Sequence, residues 1–141
     1  MDKKTLFVTG SNGQLGRAVN NVYANENHYK IINTDVGDLD ITNIEHTLKI
    51  VQEVNPYAII NCAAYTAVEA CETEKDKAYS INAIGARNLA IASKKIGCKL
   101  IHVSTDYVFE GNGSKPYIEF DTPNPQGMYG KTCLLYTSRC V

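Results

Sequence analysis

The chain has 141 residues, a formal net charge of −1 and 44% hydrophobic residues. This length supports one domain with a buried core, and the interspersed charges argue against a nucleic-acid-binding face or a polybasic membrane surface. No apolar run approaches the roughly 18 residues of a membrane span, and the first apolar run is too short for a signal peptide. We therefore expect a cytoplasmic protein that contacts neither membrane nor nucleic acid.

The first predicted strand, 4–9, runs directly into a glycine-rich turn, and an amphipathic helix is predicted over 14–26. The glycines form G-x-x-G-x-x-G. In such a turn the first glycine permits the bend, the second lets the backbone approach a pyrophosphate, and the third lets the helix pack on the sheet. Because a helix N-terminus attracts phosphate, we predict a dinucleotide cofactor here. The turn glycines expected at the cofactor are Gly10, Gly13 and Gly16.

The second predicted strand, 29–34, ends at Asp35. This acidic residue lies about 20 residues beyond the glycine turn, the spacing at which a carboxylate accepts hydrogen bonds from the adenosine ribose. Its charge disfavours a 2′-phosphate, whereas Arg17 offers a phosphate partner. The cofactor is therefore predicted to be NADH or NADPH, with the choice open.

Strands and helices continue to alternate along the rest of the chain, as helix 43–54, strand 57–61, helix 75–97 and strand 99–104. Thr42 and Glu45 form a possible capping box at the start of the second helix. The alternation predicts an α/β fold, a Rossmann-type doubly wound parallel sheet that is truncated after the fourth strand. With right-handed crossovers, we expect the strand order 3-2-1-4.

Two predicted strands end in residues that can contact a cofactor or a substrate. The third leads into Ala63, Ala64 and Tyr65, where small side chains let a flat cofactor lie against the backbone or simply pack closely. The fourth leads into Ser104 and Thr105, whose hydroxyls can bind a substrate carbonyl or cap their own backbone.

A tyrosine at the start of a last predicted helix, Tyr129, follows a long loop over 111–125. Its phenol needs a pKa below the ordinary value of about 10 to act in acid–base catalysis. A lysine at i+4 shares the same helix face and lowers that pKa. Here the i+4 residue is Cys133, and Lys131 points elsewhere, so the Tyr-x-x-x-Lys pattern is incomplete.

Metal binding is not expected from the five cysteines and three histidines, which lack ligand spacing. The odd cysteine count and the absence of an export signal indicate reduced thiols. His102 lies inside a predicted strand, where a structural role is expected.

Together, the motifs at 8–16, 38–42, 63–69, 104–109 and 129–131 resemble the dTDP-4-dehydrorhamnose reductases, a branch of the extended short-chain dehydrogenases/reductases. The resemblance runs from about residue 4 to residue 132. It implies NAD(P)H-dependent reduction of the C4 keto group of a dTDP-4-dehydro-6-deoxy-L-hexose, which yields dTDP-L-rhamnose for surface polysaccharide. It also implies that Thr105 orients the carbonyl and Tyr129 donates the proton.

The same resemblance implies further cofactor-site residues, namely Asn12, Gln14, Leu15, Asp40, Ile41, Ala63, Ala64 and Tyr65. Asn82 matches a family position on the long helix, where a structural role is equally expected. Full-length members are expected to form homodimers that can depend on magnesium, but no metal ligand is assignable in this segment.

Residues 133–141 depart from the family pattern. Cys133 to Ser138 resembles the translation of a transposon-end sequencing adapter, so we expect residues 1–132 to be an incomplete NAD(P)-binding domain and 133–141 a non-native tail. The alternative is a natural divergent tail that continues the helix. Resequencing the source gene without that adapter chemistry decides between them, because the first hypothesis requires a lysine codon at position 133.

Two other functions remain open. One is a different nucleotide-sugar epimerase or dehydratase of the same superfamily, which would share the glycine turn and the tyrosine. The other is a non-catalytic NADP-binding regulatory subunit of methionine adenosyltransferase, which an incomplete catalytic pattern would suit.

Overall fold

The computed structural model describes residues 3–137 and contains one parallel sheet. Its four strands are β1 Lys4–Thr9, β2 Tyr29–Thr34, β3 Ala58–Asn61 and β4 Lys99–His102. They lie in the order β2-β1-β3-β4, and every neighbouring pair is parallel. The predicted doubly wound α/β class is confirmed, and the strand bounds agree with the sequence prediction to within two residues.

The helices are α1 Gln14–Tyr23, α2 Ile44–Val54, α3 Val68–Thr73, α4 Lys75–Tyr79, α5 Ala86–Ile96 and α6 Met128–Thr137. A π-helical segment, Ser80–Gly85, joins α4 to α5, so the predicted helix 75–97 is one helical run with a π-helical centre. The predicted capping box is wrong. Asn43 is the N-cap of α2, and its side chain accepts a hydrogen bond from the His46 backbone N–H at 3.0 Å.

The predicted strand order, 3-2-1-4, is also wrong. All residues of β3 are buried, so this strand needs covered faces and neighbours on both sides. In contrast, β2 carries the exposed polar residues Lys30 and Asn33, which an edge strand tolerates. The chain therefore passes back across β1, and β3 pairs with the opposite edge of β1.

This reversal puts helices on both faces of the sheet, because right-handed crossovers in opposite directions lie on opposite sides. On one face Leu6, Val8 and Ile60 pack with Val19 of α1. On the other, Phe7 and Ile59 pack with residues of α2 and α5, which are Val51, Leu89 and Ala92. The point where the strand order reverses lies between β1 and β3, and doubly wound sheets bind ligands at the carboxyl ends of such strands.

None of the helices described within residues 3–137 is long and apolar enough to cross a bilayer.

The close approach of Gly10, after β1, to Ala63, after β3, predicts that a larger residue at position 10 destabilises the fold. A methyl group at Gly10 would stand 2.6 Å from Ala63 N, and the φ of Gly10 is +64°. We expect Gly10→Ala to lower the free energy of unfolding by about 2–4 kcal/mol, from steric overlap and backbone strain. Urea denaturation measures this change.

Gly37→Ala is the matched control, because a methyl group there meets nothing within 4 Å. We expect it to change the free energy of unfolding by less than about 0.5 kcal/mol. Equal losses in the two variants would contradict the close approach.

Candidate functional site

A cleft of about 580 Å³ opens at the carboxyl ends of β1 and β3. Many predicted cofactor residues line it, namely Gly10, Gly13, Asp35, Asp40, Ile41, Ala63 and Ala64. The remaining predicted residues are not in its lining. They are Asn12 in the glycine turn, Gln14, Leu15 and Gly16 at the start of α1, and Tyr65 after β3. The lining residues that the sequence analysis did not select are Thr9, Thr34, Val36, Leu39, Thr42, Cys62, Lys77, Ser80 and Ile81.

The glycine turn is held by its own backbone. Gly13 N donates to Gly10 O at 3.1 Å, and Gly13 is the N-cap of α1. Gln14 and Leu15 therefore form the exposed first turn of α1, and Gly16 is buried against the Ser11 backbone. Gly13, the N-cap of α1, lines the cleft, so the helix begins at the edge of the cleft.

Asp35 ties the end of β2 to this turn. One carboxylate oxygen accepts from Asn12 N at 2.8 Å, and the other accepts from Val36 N at 2.8 Å. Arg17 Nε donates to Asn12 O at 2.8 Å, so the acid and the guanidinium meet at one residue of the turn. A carboxylate has about four lone-pair positions, so Asp35 retains capacity to accept from a ribose hydroxyl.

Asn82, on the π-helical segment, joins the cleft to α6. Its side-chain oxygen accepts from Tyr65 N at 2.7 Å, and its amide donates to Tyr65 O at 3.1 Å and to Thr132 Oγ1 at 3.1 Å. Thr132 in turn donates to Tyr129 O at 2.9 Å. This geometry gives Asn82 the structural role that its position suggested.

Lys77 stands beside the same segment. Its ammonium lies 4.4 Å from the centre of the Tyr65 ring and 2.8 Å from a carboxylate oxygen of Glu74. No sequence pattern marked Lys77, because its contact with Tyr65 and its place in the cleft lining depend on how the helix packs.

Thr105 and Tyr129, the two residues expected to act on the carbonyl, lie near each other. The Thr105 hydroxyl is close enough to lower the pKa of the Tyr129 phenol, and the Tyr129 ring meets Tyr107 edge to face at 5.4 Å. Gly130 allows this approach, since a methyl group there would overlap Tyr107 O. Thr105 also accepts from Tyr107 N at 3.3 Å, so it caps its own backbone as well.

Burial is the main influence on Tyr129 and raises the pKa of its phenol, against the smaller lowering effect of Thr105. Cys133, one helical turn on, is buried near Tyr129. Burial raises the pKa of the Cys133 thiol to about 11, so the thiol is neutral at neutral pH. Lys131 is exposed. The i+4 position therefore supplies no positive charge to the phenol.

The start of α6 is capped from α3. A Glu72 carboxylate oxygen accepts from Met128 N at 2.6 Å, immediately before Tyr129. An acidic group at a helix N-terminus satisfies an otherwise unpaired N–H and interacts favourably with the helix dipole. Glu72 was missed because its partner lies far away along the chain.

The family described as the RmlD substrate binding domain matches residues 4–137. The dTDP-4-dehydrorhamnose reductase of Aggregatibacter actinomycetemcomitans is 41% identical over 90% of this chain and 43% of its own length. The spore coat polysaccharide biosynthesis protein SpsK of Bacillus subtilis is 39% identical over 90% of this chain and 44% of its own length. The chain thus spans less than half the length of these relatives.

Solved structures agree. The dTDP-4-dehydrorhamnose reductase of Bacillus anthracis in complex with NADP is 47% identical and superimposes with a TM-score of 0.91, covering 96% of this chain and 48% of that one. The Clostridium acetobutylicum reductase is 49% identical with a TM-score of 0.90, covering 93% and 46%.

The neutral residue at position 133 predicts how the tyrosine titrates. In Cys133→Lys, a cation placed beside the phenol should bring the pKa of Tyr129 below its ordinary value of about 10. Spectrophotometric or NMR titration of the phenol measures it. Cys133→Met, which is similarly long but uncharged, is the control. The same pKa in both variants would contradict the placement of residue 133 beside Tyr129.

The Glu72 cap predicts that its removal lowers the protection of α6 against amide hydrogen exchange. Glu72→Ala leaves Met128 N without its partner and should destabilise the start of α6 by about 1 kcal/mol. Amide hydrogen exchange at Lys131, whose N–H donates to Gly127 O, should then be about fivefold faster. Glu69→Ala, an exposed residue of the same helix, is the control. Equal exchange rates at Lys131 in the two variants would contradict a stabilising role for the cap.

Proposed function

The chain belongs to the RmlD substrate binding domain family, and we propose that it is the cofactor-binding portion of a nucleotide-sugar reductase. The reaction is transfer of hydride from NADPH or NADH to the C4 keto group of dTDP-4-dehydro-6-deoxy-L-hexose. One observation carries the proposal: the cleft at the β1–β3 switch point is joined through Asn82 to a helix that holds Tyr129 beside Thr105. The hydrogen bonds of Asn82 thus connect the dinucleotide site to the helix that carries the proton donor.

The cleft fits a dinucleotide. Gly10 and Ala63 are so close that any Cβ at residue 10 would fill the space, and Gly13, the N-cap of α1, lines the same cleft. Gly10, Gly13 and the α1 N-terminus would hold the pyrophosphate, while Asp35 would bind the adenosine ribose. When bound, the nicotinamide supplies the hydride.

The protein's part in the reaction is to orient the carbonyl and deliver a proton. Thr105 would donate a hydrogen bond to the C4 oxygen, and Tyr129 would donate its phenolic proton to that oxygen as the negative charge develops. Burial raises the pKa of Tyr129 and keeps the phenol protonated. The tyrosinate left behind needs a nearby cation, and Cys133 provides none. We therefore expect little or no turnover from these 141 residues.

The preference for NADPH or NADH depends on Asp35 and Arg17, which both hydrogen-bond to Asn12. The Bacillus anthracis relative is described in complex with NADP, which supports NADPH for this chain. Arg17 would interact with a 2′-phosphate and Asp35 would repel it, so we expect both NADPH and NADH to bind. In the whole protein the product would supply polysaccharide biosynthesis in the cytoplasm, a role consistent with the name of SpsK.

A second candidate function is cofactor binding without catalysis. The buried, neutral Cys133 beside Tyr129 favours it, because the catalytic tyrosine lacks its cation. Turnover by the Cys133→Lys variant within a chain extended to the relatives' length would favour the reductase. Cofactor binding without turnover in that same protein would favour the second function.

Cofactor titration tests the site. We expect NADPH and NADH to bind the 141-residue chain, as measured by isothermal calorimetry. Asp35→Asn should raise the NADPH-to-NADH affinity ratio about tenfold, because it removes a charge near the 2′-phosphate. Arg17→Ala should lower that ratio, and Arg87→Ala, an exposed arginine on α5, is the control.

One result would count against the proposed cofactor site and another against the expected inactivity of this chain. Absence of binding to either nucleotide by the folded chain would overturn the cofactor site. Detectable oxidation of NADPH with the dTDP-sugar by these 141 residues would overturn the expected inactivity.

A further inference from the structure

A chain of hydrogen-bonded side chains crosses the carboxyl ends of β1, β3 and β4 below the cleft. Thr9 Oγ1 donates to Asn61 Oδ1 at 2.6 Å, and Ala63 N donates to the same oxygen at 3.1 Å. Asn61 Nδ2 lies 2.9 Å from His102 Nδ1. Thr9 and Asn61 are buried, and His102 is partly buried. The reaction described above makes no use of His102.

The donors in this chain determine which nitrogen of His102 carries its proton. A backbone N–H can only donate, so the Asn61 atom that faces Ala63 N is the oxygen, and the atom that faces His102 is the NH₂ group. The NH₂ group also only donates. His102 Nδ1 must therefore accept, which makes the ring neutral with its proton on Nε2.

We propose that His102 is a positioning residue for the dinucleotide cleft, and that protonation of its ring releases Asn61 and weakens cofactor binding. The proposal rests on the proposed function of the cleft. An imidazolium donates from both nitrogens, so its Nδ1–H would face the Asn61 NH₂ and break the hydrogen bond. Asn61 would then lose the partner that orients its oxygen toward Thr9 and Ala63. Ala63 lines the cleft and stands against Gly10.

The groups around the ring carry little charge. From β3 the partner is the uncharged amide of Asn61, and from α6 the Tyr136 ring meets the imidazole edge to face at 5.9 Å. The thiol of Cys133 lies one turn earlier on α6. From α5, Leu89 and Ala92 face the sheet, whereas its charged residues are exposed, namely Arg87, Lys94 and Lys95. Burial lowers the pKa of His102.

The direction of the pH effect follows from this lowered pKa. The unfolded chain has the ordinary histidine pKa of about 6.5, and the folded chain has a lower one. Between the two values the unfolded chain binds more protons, so stability rises with pH across this window. The contribution of His102 is complete above about pH 6.5 and is lost as the pH falls through the folded pKa. Cofactor affinity should fall over the same acidic range.

NMR titration of the 141-residue chain tests the hydrogen bond without any cofactor. The nitrogen shifts of the His102 ring should show the Nε2–H tautomer and a pKa below about 6.5. The Ala63 backbone amide and the Asn61 side-chain amide should move with the same midpoint. An Nδ1–H tautomer would overturn the proposal. So would an Ala63 amide whose chemical shift does not change as His102 titrates.

Affinity for NADP⁺, measured at about pH 7.5 and about pH 5, tests the consequence for binding. His102→Asn places an amide oxygen near the position of Nδ1 and cannot be protonated, so its affinity should lose this pH dependence. The unchanged chain and His28→Asn, an exposed control, should bind about five- to tenfold more weakly at the lower pH. Titration of the nucleotide itself cancels in the comparison.

The outcomes separate the two proposals. The same pH dependence in all three proteins would overturn the role of His102. Absence of NADP⁺ binding at either pH would instead contradict the proposed function, and the NMR titration would still decide whether His102 controls Ala63.

Discussion

The approach of two backbones, at Gly10 just after β1 and at Ala63 beyond β3, is the constraint on which the rest of the structure depends. An added Cβ on Gly10 would stand 2.6 Å from Ala63 N, so only glycine fits there. The approach lies where the strand order reverses, and the cleft opens at this point. Asn61 reinforces it from below, since one side-chain oxygen receives both the Thr9 hydroxyl and the Ala63 N–H.

The position of Tyr129 depends on contacts between helices. Tyr129 takes its place because α6 is capped by Glu72, tied through Thr132 to Asn82 and packed against the turn that contains Thr105. Together these contacts hold the phenol in a partly apolar environment, which favours its protonated form. A cation at the next turn would lower the pKa of this phenol. The neutral Cys133 thiol supplies no such charge.

Much of the fold could be predicted from local patterns. The apolar run before the glycine turn, the amphipathic helix after it and Asp35 beyond β2 are short-range features, and the structure keeps all three. The strand order could not be derived from element order alone, because it depends on which strand is buried on both faces. Lys30 and Asn33 on β2, compared with the wholly apolar start of β3, carried that information.

The sequence by itself determined the class of fold and the strand, turn and helix around the three glycines, because each rests on residues close together in the chain. Only the tertiary structure decided the place of β3, the cap that Glu72 provides, the link through Asn82 and the tautomer of His102. These features join residues that are far apart in the chain, such as Asn61 and His102 or Glu72 and Met128. Their partners are chosen by packing across the sheet and between helices, and no local propensity encodes that choice.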